Sequence, residues 1–222
     1  MSNQQKYKTG VWVWLSRICI YLIGMVFLSL GIVLCVKSQL GISPISSIAY
    51  VSQFILPLSF GALTMLFHLA HSVIQYVLEH KWLNIKIILQ VPVAVLFGVI
   101  IDGLEQLIQI EPANVILKWI LLIFSVFFTA LGMVFMLNMK FVQNPPDGTV
   151  NLLSNMLKVE MGRVKIVYDV ICVLISILLS LIFLHRIVGF GIATIFSAIF
   201  VGRTLSWMQG NVGACLRKRI PF

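Results

Sequence analysis

Titratable side chains interrupt stretches of the sequence that are otherwise apolar. His68, His71 and Gln75 follow one another at spacings of three and four residues, which places them on one face of a helix. Asp169 and Ser176 repeat the pattern, each 101 residues after His68 or Gln75. Histidine titrates near neutral pH, so these groups could exchange protons if they face a water-filled cavity. The alternative is that they only hydrogen-bond neighbouring helices to one another.

Polar residues also surround the prolines that open two short helices, predicted at 41–57 and 143–159. Such residues cap helix starts, where unpaired backbone N–H groups attract an anion. Asp147 supplies its own negative charge as a cap, so its helix start suits a cation or a proton. If both helices lie on the membrane surface, these residues are ordinary caps; if the helices are re-entrant, they border a substrate cavity. The candidates are Ser43, Ser46, Asn144 and Asp147.

The composition determines which elements hold these residues. Of 222 residues, 60% are hydrophobic and 10% charged, and the mean hydropathy is +1.04. A soluble domain has about 45 to 50% apolar and about 25% charged residues, so a soluble globule is excluded. A helix needs about 20 apolar residues to cross a bilayer. The predicted fold class is therefore an all-α membrane protein.

Six apolar runs are long enough to cross, which puts both termini on one side. Of the 16 Lys and Arg residues, only Lys37, Lys118 and Arg186 then fall outside, leaving 13 at cytoplasmic ends. Arg17 interrupts the first run and no cleavage site follows it, so we expect a retained span. The predicted location is the bacterial cytoplasmic (inner) membrane, multipass, with both termini cytoplasmic. The runs are 11–36, 58–79, 84–108, 114–139, 164–184 and 187–208.

An internal repeat appears when the chain is shifted by 101 residues. The same order of span, proline-started short helix, span and span then recurs, giving repeats at 1–109 and 110–222, the second with a basic tail. Because each repeat has three spans, the second copy must have inverted topology, an architecture found in many secondary transporters. Both repeats form one integral membrane domain. The matched pairs are Gly31 and Gly132, Pro44 and Pro145, Gly61 and Gly162, and Asp102 and Arg203.

Other functional classes find little support in the sequence. The net charge of +9 follows from the membrane topology, and we expect no nucleic-acid partner. The four cysteines form no CxxC motif, and HExxH, GxSxG and the ATP-binding P-loop are absent. We therefore predict no enzymatic activity, no metal and no cofactor. The expected partners are the lipid bilayer and a small-molecule solute or ion, with proton coupling and a homodimer left open.

Three short motifs resemble the YczE/YitT-like family of bacterial multipass membrane proteins: LGISP at 40–44, SFG at 59–61 and FGVIIDGL at 97–104. The family motif reads approximately L-G-hydrophobic-S-P-W-D. Here Ile45 and Ser46 replace its Trp and Asp, and Asp147 supplies the acid in the second repeat. The resemblance implies a transporter-like integral membrane protein without a defined substrate.

Taken together, the residues predict a small protein resembling a secondary transporter. It would move a small polar or anionic solute through a cavity between the repeats, with His68, His71 and Asp169 exchanging a proton. A variant is the substrate-binding subunit of a larger uptake complex. The alternative class is a non-transporting membrane partner or sensor subunit of a larger complex.

Overall fold

The computed structural model describes residues 3–79 and 85–219, and every regular element in them is a helix. The predicted boundaries at residues 1, 84 and 222 lie outside the described residues. Five helices in this part of the chain are long and apolar enough to cross a membrane, which makes the protein an all-α, multipass membrane protein. They are α1 (Asn3–Lys37), α3 (Phe60–Glu79), α5 (Gln90–Leu107), α6 (Val115–Met139) and α8 (Met161–Leu184).

Five shorter helices complete the part of the chain that the structure describes. The sixth predicted crossing corresponds to α9 (Ile192–Met208), which has 17 residues and is shorter than each of the five long helices. A five-residue π-helical turn, Gln209–Gly213, continues α9 into the last helix. The shorter helices are α2 (Ser47–Ser52), α4 (Ile85–Ile88), α7 (Pro145–Leu157), α9 (Ile192–Met208) and α10 (Ala214–Arg219).

The centre of the fold is the pair α1 and α6, which pack along most of their length. Two glycines bring their backbones together. A β-carbon at Gly31 would collide with the backbone at Ser125 and Thr129, and one at Gly132 would collide with the backbone at Leu28. In a membrane, close packing through small residues replaces the hydrophobic effect as the force between helices. These glycines therefore set the spacing of the central pair.

Helices α3 and α5 form a second close pair, which packs against α1. A β-carbon at Gly61 would collide with the carbonyl of Gly98, so both residues must be small. At this end of the pair, the Asp102 carboxylate accepts hydrogen bonds from Gly61 N at 2.7 Å and from Ser59 Oγ at 2.6 Å. We call this contact the Ser59–Asp102 latch. It joins the start of α3 to α5.

The two short helices α2 and α7 are enclosed by longer ones. Each packs against both α3 and α8, and the residues at each start are largely buried. Helix α7 begins at Pro145, as predicted. The predicted length of α2 is wrong, because the helix spans only Ser47–Ser52 and not 41–57. Pro57 disfavours helical backbone at the residue before it, and turns replace the helix there.

Candidate functional site

An ion-pair network lies where α7 meets α8. Lys165 Nζ lies 3.4 Å from Asp147 Oδ1 and 3.8 Å from Asp169 Oδ1. The lysine side chain is 32% exposed, and those of Asp147 and Asp169 are 18% and 16% exposed. Charged groups in this position are expensive unless they pair or face a cavity. One ammonium group thus holds two carboxylates from different helices together.

His71 of α3 makes a separate contact with α8, at Tyr168, the residue before Asp169. Its Nδ1 lies 2.7 Å from the backbone carbonyl of Phe67, and its Nε2 contacts the Tyr168 hydroxyl. A carbonyl oxygen only accepts hydrogen bonds, so in the neutral ring Nδ1 carries the proton. Nε2 is then the acceptor, and Tyr168 donates to it. We call His71, Asp147, Lys165, Tyr168 and Asp169 the charged cluster.

Gln75 fixes the start of α7 against α3 and α5. Its Nε2 donates to the Pro145 carbonyl at 2.8 Å, and its amide exchanges two hydrogen bonds with Gln90, at 3.0 and 3.2 Å. Ser72 also donates to Gln90 Oε1, at 3.0 Å. A β-carbon at Gly148 would lie 2.7 Å from Gln75 Oε1, so a larger residue there would require the Gln75 amide to move. For Gln75, the structure supports the purely structural alternative.

His68 lies apart from the charged cluster in its contacts. Its ring is 2% exposed and stacks on Phe97 of α5, with the ring centroids 5.0 Å apart. Its Nδ1 is buried without a hydrogen-bond partner. Within the described residues, no hydrogen bond or ion pair joins His68 to Asp169. The predicted trio of His68, His71 and Asp169 is therefore not one contact network.

The start of α2 carries hydroxyl groups where that of α7 carries charge. Ser43 Oγ donates to Ser46 Oγ at 3.1 Å. Ser47 Oγ donates to the Pro44 carbonyl at 2.6 Å and approaches the Cys172 carbonyl at 3.4 Å. This network of hydroxyl and carbonyl groups between α2 and α8 is made of uncharged residues.

The predicted roles as helix caps are wrong in three places. Ser46 and Asn144 occupy the N-cap positions of α2 and α7, yet neither makes a side-chain capping bond. Asp147 is not a cap but lies in the first turn of α7, because Pro145 and Pro146 take the first two helical positions. Its carboxylate pairs with a lysine instead of a backbone N–H group.

Besides His68 Nδ1, two buried polar atoms near these helix starts have neither a hydrogen-bond partner nor an ion pair. They are Asn144 Oδ1 and the hydroxyl of Ser176, whose residue is 1% exposed and stands one turn beyond Cys172 on α8. A buried polar group without a partner loses about 1 to 3 kcal/mol of solvation. Both atoms are therefore free to bind water or a polar solute.

Both helix starts meet the long helices well inside their length. His71 lies eight residues before the end of α3 and Asp169 eight residues after the start of α8, or about 12 Å at 1.5 Å per residue. Cys172, which Ser47 approaches, lies 12 residues before the end of α8, or about 18 Å. Helices that rest on a membrane surface would contact the ends of α3 and α8. These contacts favour the alternative in which the two short helices are re-entrant.

The sequence reasoning missed Lys165 and Tyr168 as site residues. From the sequence, Lys165 is the first residue of the repeated polar stripe, 101 positions after Thr64, and a basic residue near a cytoplasmic helix end. One signal was available, since Lys165 and Asp169 are four residues apart and share a helix face. The pairing with Asp147 could not be read, because it depends on where the start of α7 docks.

A cavity of about 440 Å³ lies away from the charged cluster, between the α1–α2 and α8–α9 connections. Two backbone hydrogen bonds join these connections, from Ile42 N to Gly189 O and from Ala193 N to Leu40 O, both 2.9 Å. None of the predicted site residues lines this cavity. Its lining includes Gln39, Gly41, Tyr50, Gly189 and Phe190.

An all-helical bundle with charged groups between enclosed helix starts defines the class: a multipass membrane protein with a polar interior. The chain belongs to a family of unknown function, DUF6198, whose model matches residues 15–210. The match includes the whole charged cluster and both short helices. No curated protein and no solved structure matches the chain.

Proposed function

We propose that this protein is a small, secondary-transporter-like membrane protein that moves a small polar solute through a path between its two halves. The observation that carries the proposal is the ion-pair network of Asp147, Lys165 and Asp169 inside the bundle. A purely structural bundle has little reason to enclose three charged groups, because a charge inside the membrane is costly, reaching about 2.5 to 3.5 kcal/mol at the bilayer centre. Partly exposed charges beside His71 suit a site that binds a solute and exchanges protons.

The charges also narrow the solute class. The sequence left a polar or an anionic solute open. The cluster has two carboxylates and one ammonium, so its formal charge is −2 + 1 = −1 with His71 neutral. A cation or a neutral polar solute is favoured over an anion. A cationic solute would compete with Lys165 for the carboxylates.

An inverted repeat with six crossings is part of the proposal, with α9 as the sixth. Helices α3 and α8 begin 101 residues apart, at Phe60 and Met161, and α5 and α9 end 101 residues apart, at Leu107 and Met208. The central glycines agree with the same shift. Gly31 packs on Ser125 and Thr129, while Gly132 packs on Gly24 and Leu28, which are the residues 101 positions earlier.

The membrane in which the protein resides and its relationship to the YczE/YitT-like proteins belong to the proposal as well. The distribution of Lys and Arg supports a bacterial cytoplasmic membrane location with both termini cytoplasmic. The LGISP motif at 40–44 supports a relationship to the YczE/YitT-like proteins. Its serine and proline form the turn that starts α2, so the motif has a structural role here.

A second candidate function is a non-transporting partner or sensor subunit. Helix α8 favours it, because α8 buries the smallest share of its most apolar stretch among the five long helices. Its exposed face is apolar and suits lipid, a second copy of the chain or a partner helix. Copurification of one fixed partner without any ligand response would favour this function.

The test is a thermal-stability screen of the purified protein with amines, amino acids, organic anions, vitamins and metal ions, from about pH 5 to 8, followed by flux assays in vesicles. We expect one solute class to raise the melting temperature and to be transported. The effect should disappear in Asp169→Asn and His71→Gln but persist in His185→Gln, which changes an exposed histidine outside the cluster. A flat screen together with full stability of the Asp169→Asn variant would refute the proposal.

A further inference from the structure

Two helix pairs that correspond under the 101-residue shift differ in their packing. Helices α3 and α5 pack closely, whereas α8 and α9, both fully described, share no comparable contact. The face of α5 that covers α3 is buried, and the corresponding face of α9 is exposed. The buried residues are Ala94, Phe97, Gly98 and Ile101, and their counterparts are Ile195, Ala198, Ile199 and Gly202.

The glycines at the helix starts show the same difference. A β-carbon at Gly61 would collide with the carbonyl of Gly98, whereas one at Gly162 would meet only Glu160 Oε1, at 4.0 Å. A β-carbon at Gly202 would have no atom within 4 Å. The start of α8 therefore does not pack against α9.

The shift also gives a counterpart to the Ser59–Asp102 latch. Ser59 corresponds to Glu160, and Asp102 corresponds to Arg203. A neutral donor and an acid on one pair are thus replaced by an acid and a base on the other. Opposite charges at two corresponding positions are what a second latch requires.

Neither member of this second pair is strongly held in the present structure. Arg203 is exposed, and its guanidinium lies over the Phe200 ring at 5.9 Å. Glu160 lies 3.9 Å from Arg163, and both side chains are about 80% exposed, so this ion pair contributes little. Both groups can change partners at low cost.

We propose that Glu160 and Arg203 form a gate that closes when α8 packs against the exposed face of α9. This gate opens when the Ser59–Asp102 latch closes, and closes when that latch opens. The inference rests on the proposed transport function, because alternating access in such folds largely rocks one repeat against the other. In the predicted topology the Ser59–Asp102 latch is at the outer face, so the present structure is closed outside and open to the cytoplasm.

The uncovered face of α9 has the composition that closure needs. Ala198 and Gly202 are small and lie on one face at a spacing of four residues. In a bilayer, apolar helices gain little by leaving lipid, so close packing through small residues and polar contacts must supply the attraction. The Glu160–Arg203 pair would add direction at the membrane surface, where its net contribution is small enough to be reversible.

Disulfide trapping in native membranes tests the gate without a known substrate. In a chain with the four native cysteines replaced by serine, Glu160→Cys with Arg203→Cys should form an intramolecular disulfide, detected by mass spectrometry after proteolysis. Ser59→Cys with Asp102→Cys is the positive control, because those side chains touch in this structure. Val167→Cys with Arg203→Cys is the negative control, because Val167 corresponds to Leu66, which is exposed and faces away from α5.

A charge exchange in the chain with its native cysteines provides the second measurement. Glu160→Arg and Arg203→Glu should each lower flux about two- to fivefold, as an exposed ion pair of up to about 1 kcal/mol implies. The two changes together should restore it.

The two readouts separate the gate from the transport proposal. The gate would be overturned if the 160–203 cysteine pair formed a disulfide no better than the 167–203 pair, while the 59–102 pair formed one in high yield. Disulfide formation at both the Glu160–Arg203 gate and the Ser59–Asp102 latch, without flux of any solute, would overturn the transport proposal but not the gate. Flux that the double charge exchange fails to restore, without trapping, would overturn the gate alone.

Discussion

The starts of α7 and α2 occupy similar places in the bundle but carry different chemistry. A proline lies at or shortly before each start, both starts are largely buried, and both helices contact α3 and α8. At α7, Asp147 pairs with Lys165 of α8; at α2, Ser46 accepts a hydrogen bond from Ser43 and no charge is present. Proline and small residues determine where such a helix can start, and a single acid determines which side chain it pairs with.

The comparison continues on the long helices opposite each start. A shift of 101 residues matches Ser46 to Asp147 and Thr64 to Lys165, so an acid and a base in one half correspond to two hydroxyl residues in the other. Thr64 is buried and donates to the carbonyl of Phe60, one turn earlier in its own helix. The acid and the base are thus either present together or absent together.

Ser46→Asp should have the largest effect, because it puts an acid at the start of α2 without its base. Ser46 is 5% exposed and no cation corresponds to Lys165 there, so the new charge would cost about 3 kcal/mol in free energy of unfolding. Denaturant titration in detergent micelles measures this. Ser46→Asn, similar in shape but neutral, should cost much less.

Adding Thr64→Lys to Ser46→Asp should recover part of the loss, because it recreates the arrangement found at α7. Equal stability of Ser46→Asp and the wild type would mean that water reaches the start of α2. A double variant less stable than Ser46→Asp would mean that the two helix starts are not equivalent in geometry.

Lys165→Met should have the next largest effect, because it removes the charge that both carboxylates share. Leaving a fully buried acid unpaired costs several kcal/mol in free energy of unfolding. Asp147 and Asp169 are partly exposed, which reduces the expected cost to about 1 to 3 kcal/mol. Lys158→Met is the control, since Lys158 is exposed beyond the end of α7. Adding Asp147→Asn should relieve part of the cost; an additive loss would show that the two residues do not interact.

These residues also show how far the sequence could predict the structure. The all-α membrane class and the start of α7 at Pro145 are confirmed, because both depend on composition and on one residue with a fixed backbone angle. The length of α2 and the role of Asp147 as a cap are wrong. A local sequence pattern cannot show that a side chain from another helix will bind a residue at a helix start. Lys165 of α8 pairs with Asp147 of α7 in this way.

The number of crossings and the repeat stay predictions. The last apolar run contains Gly202 and Arg203, so hydropathy alone could not separate a full crossing from the 17-residue helix α9. The spacing of the polar residues predicted a stripe on α3, but it did not predict that members of the stripe contact different helices. His71 turns to α8, while His68 stacks on α5. Tertiary packing decides which side of a stripe each residue contacts.

Gly148→Val tests the fit of the α7 start and should have a moderate effect. Its β-carbon would lie 2.7 Å from Gln75 Oε1, forcing Gln75 away from Gln90 and the Pro145 carbonyl. Overpacking of this kind costs about 1 to 3 kcal/mol. Gly103→Val is the control, because no atom lies within 4 Å of a β-carbon there. Similar losses in both variants would indicate a backbone effect instead of a collision.

Tyr168→Phe should have the smallest effect and separates the proton path from the ion pairs. It removes the hydroxyl that donates to His71 Nε2 but leaves the Nδ1 contact and both ion pairs of Lys165 in place. One lost hydrogen bond costs about 0.5 to 1.5 kcal/mol of stability. Tyr76→Phe, at a half-exposed position on α3, should cost less.

The informative readout for Tyr168→Phe is the pH dependence of solute flux. If His71 takes part in proton exchange, freeing its Nε2 should change the pH at which flux is half-maximal while the solute still binds. A profile identical to that of the wild type, with the same small loss of stability, would reduce the His71–Tyr168 contact to a structural link between α3 and α8. The charged start of α7 would then act through Asp147, Lys165 and Asp169 alone.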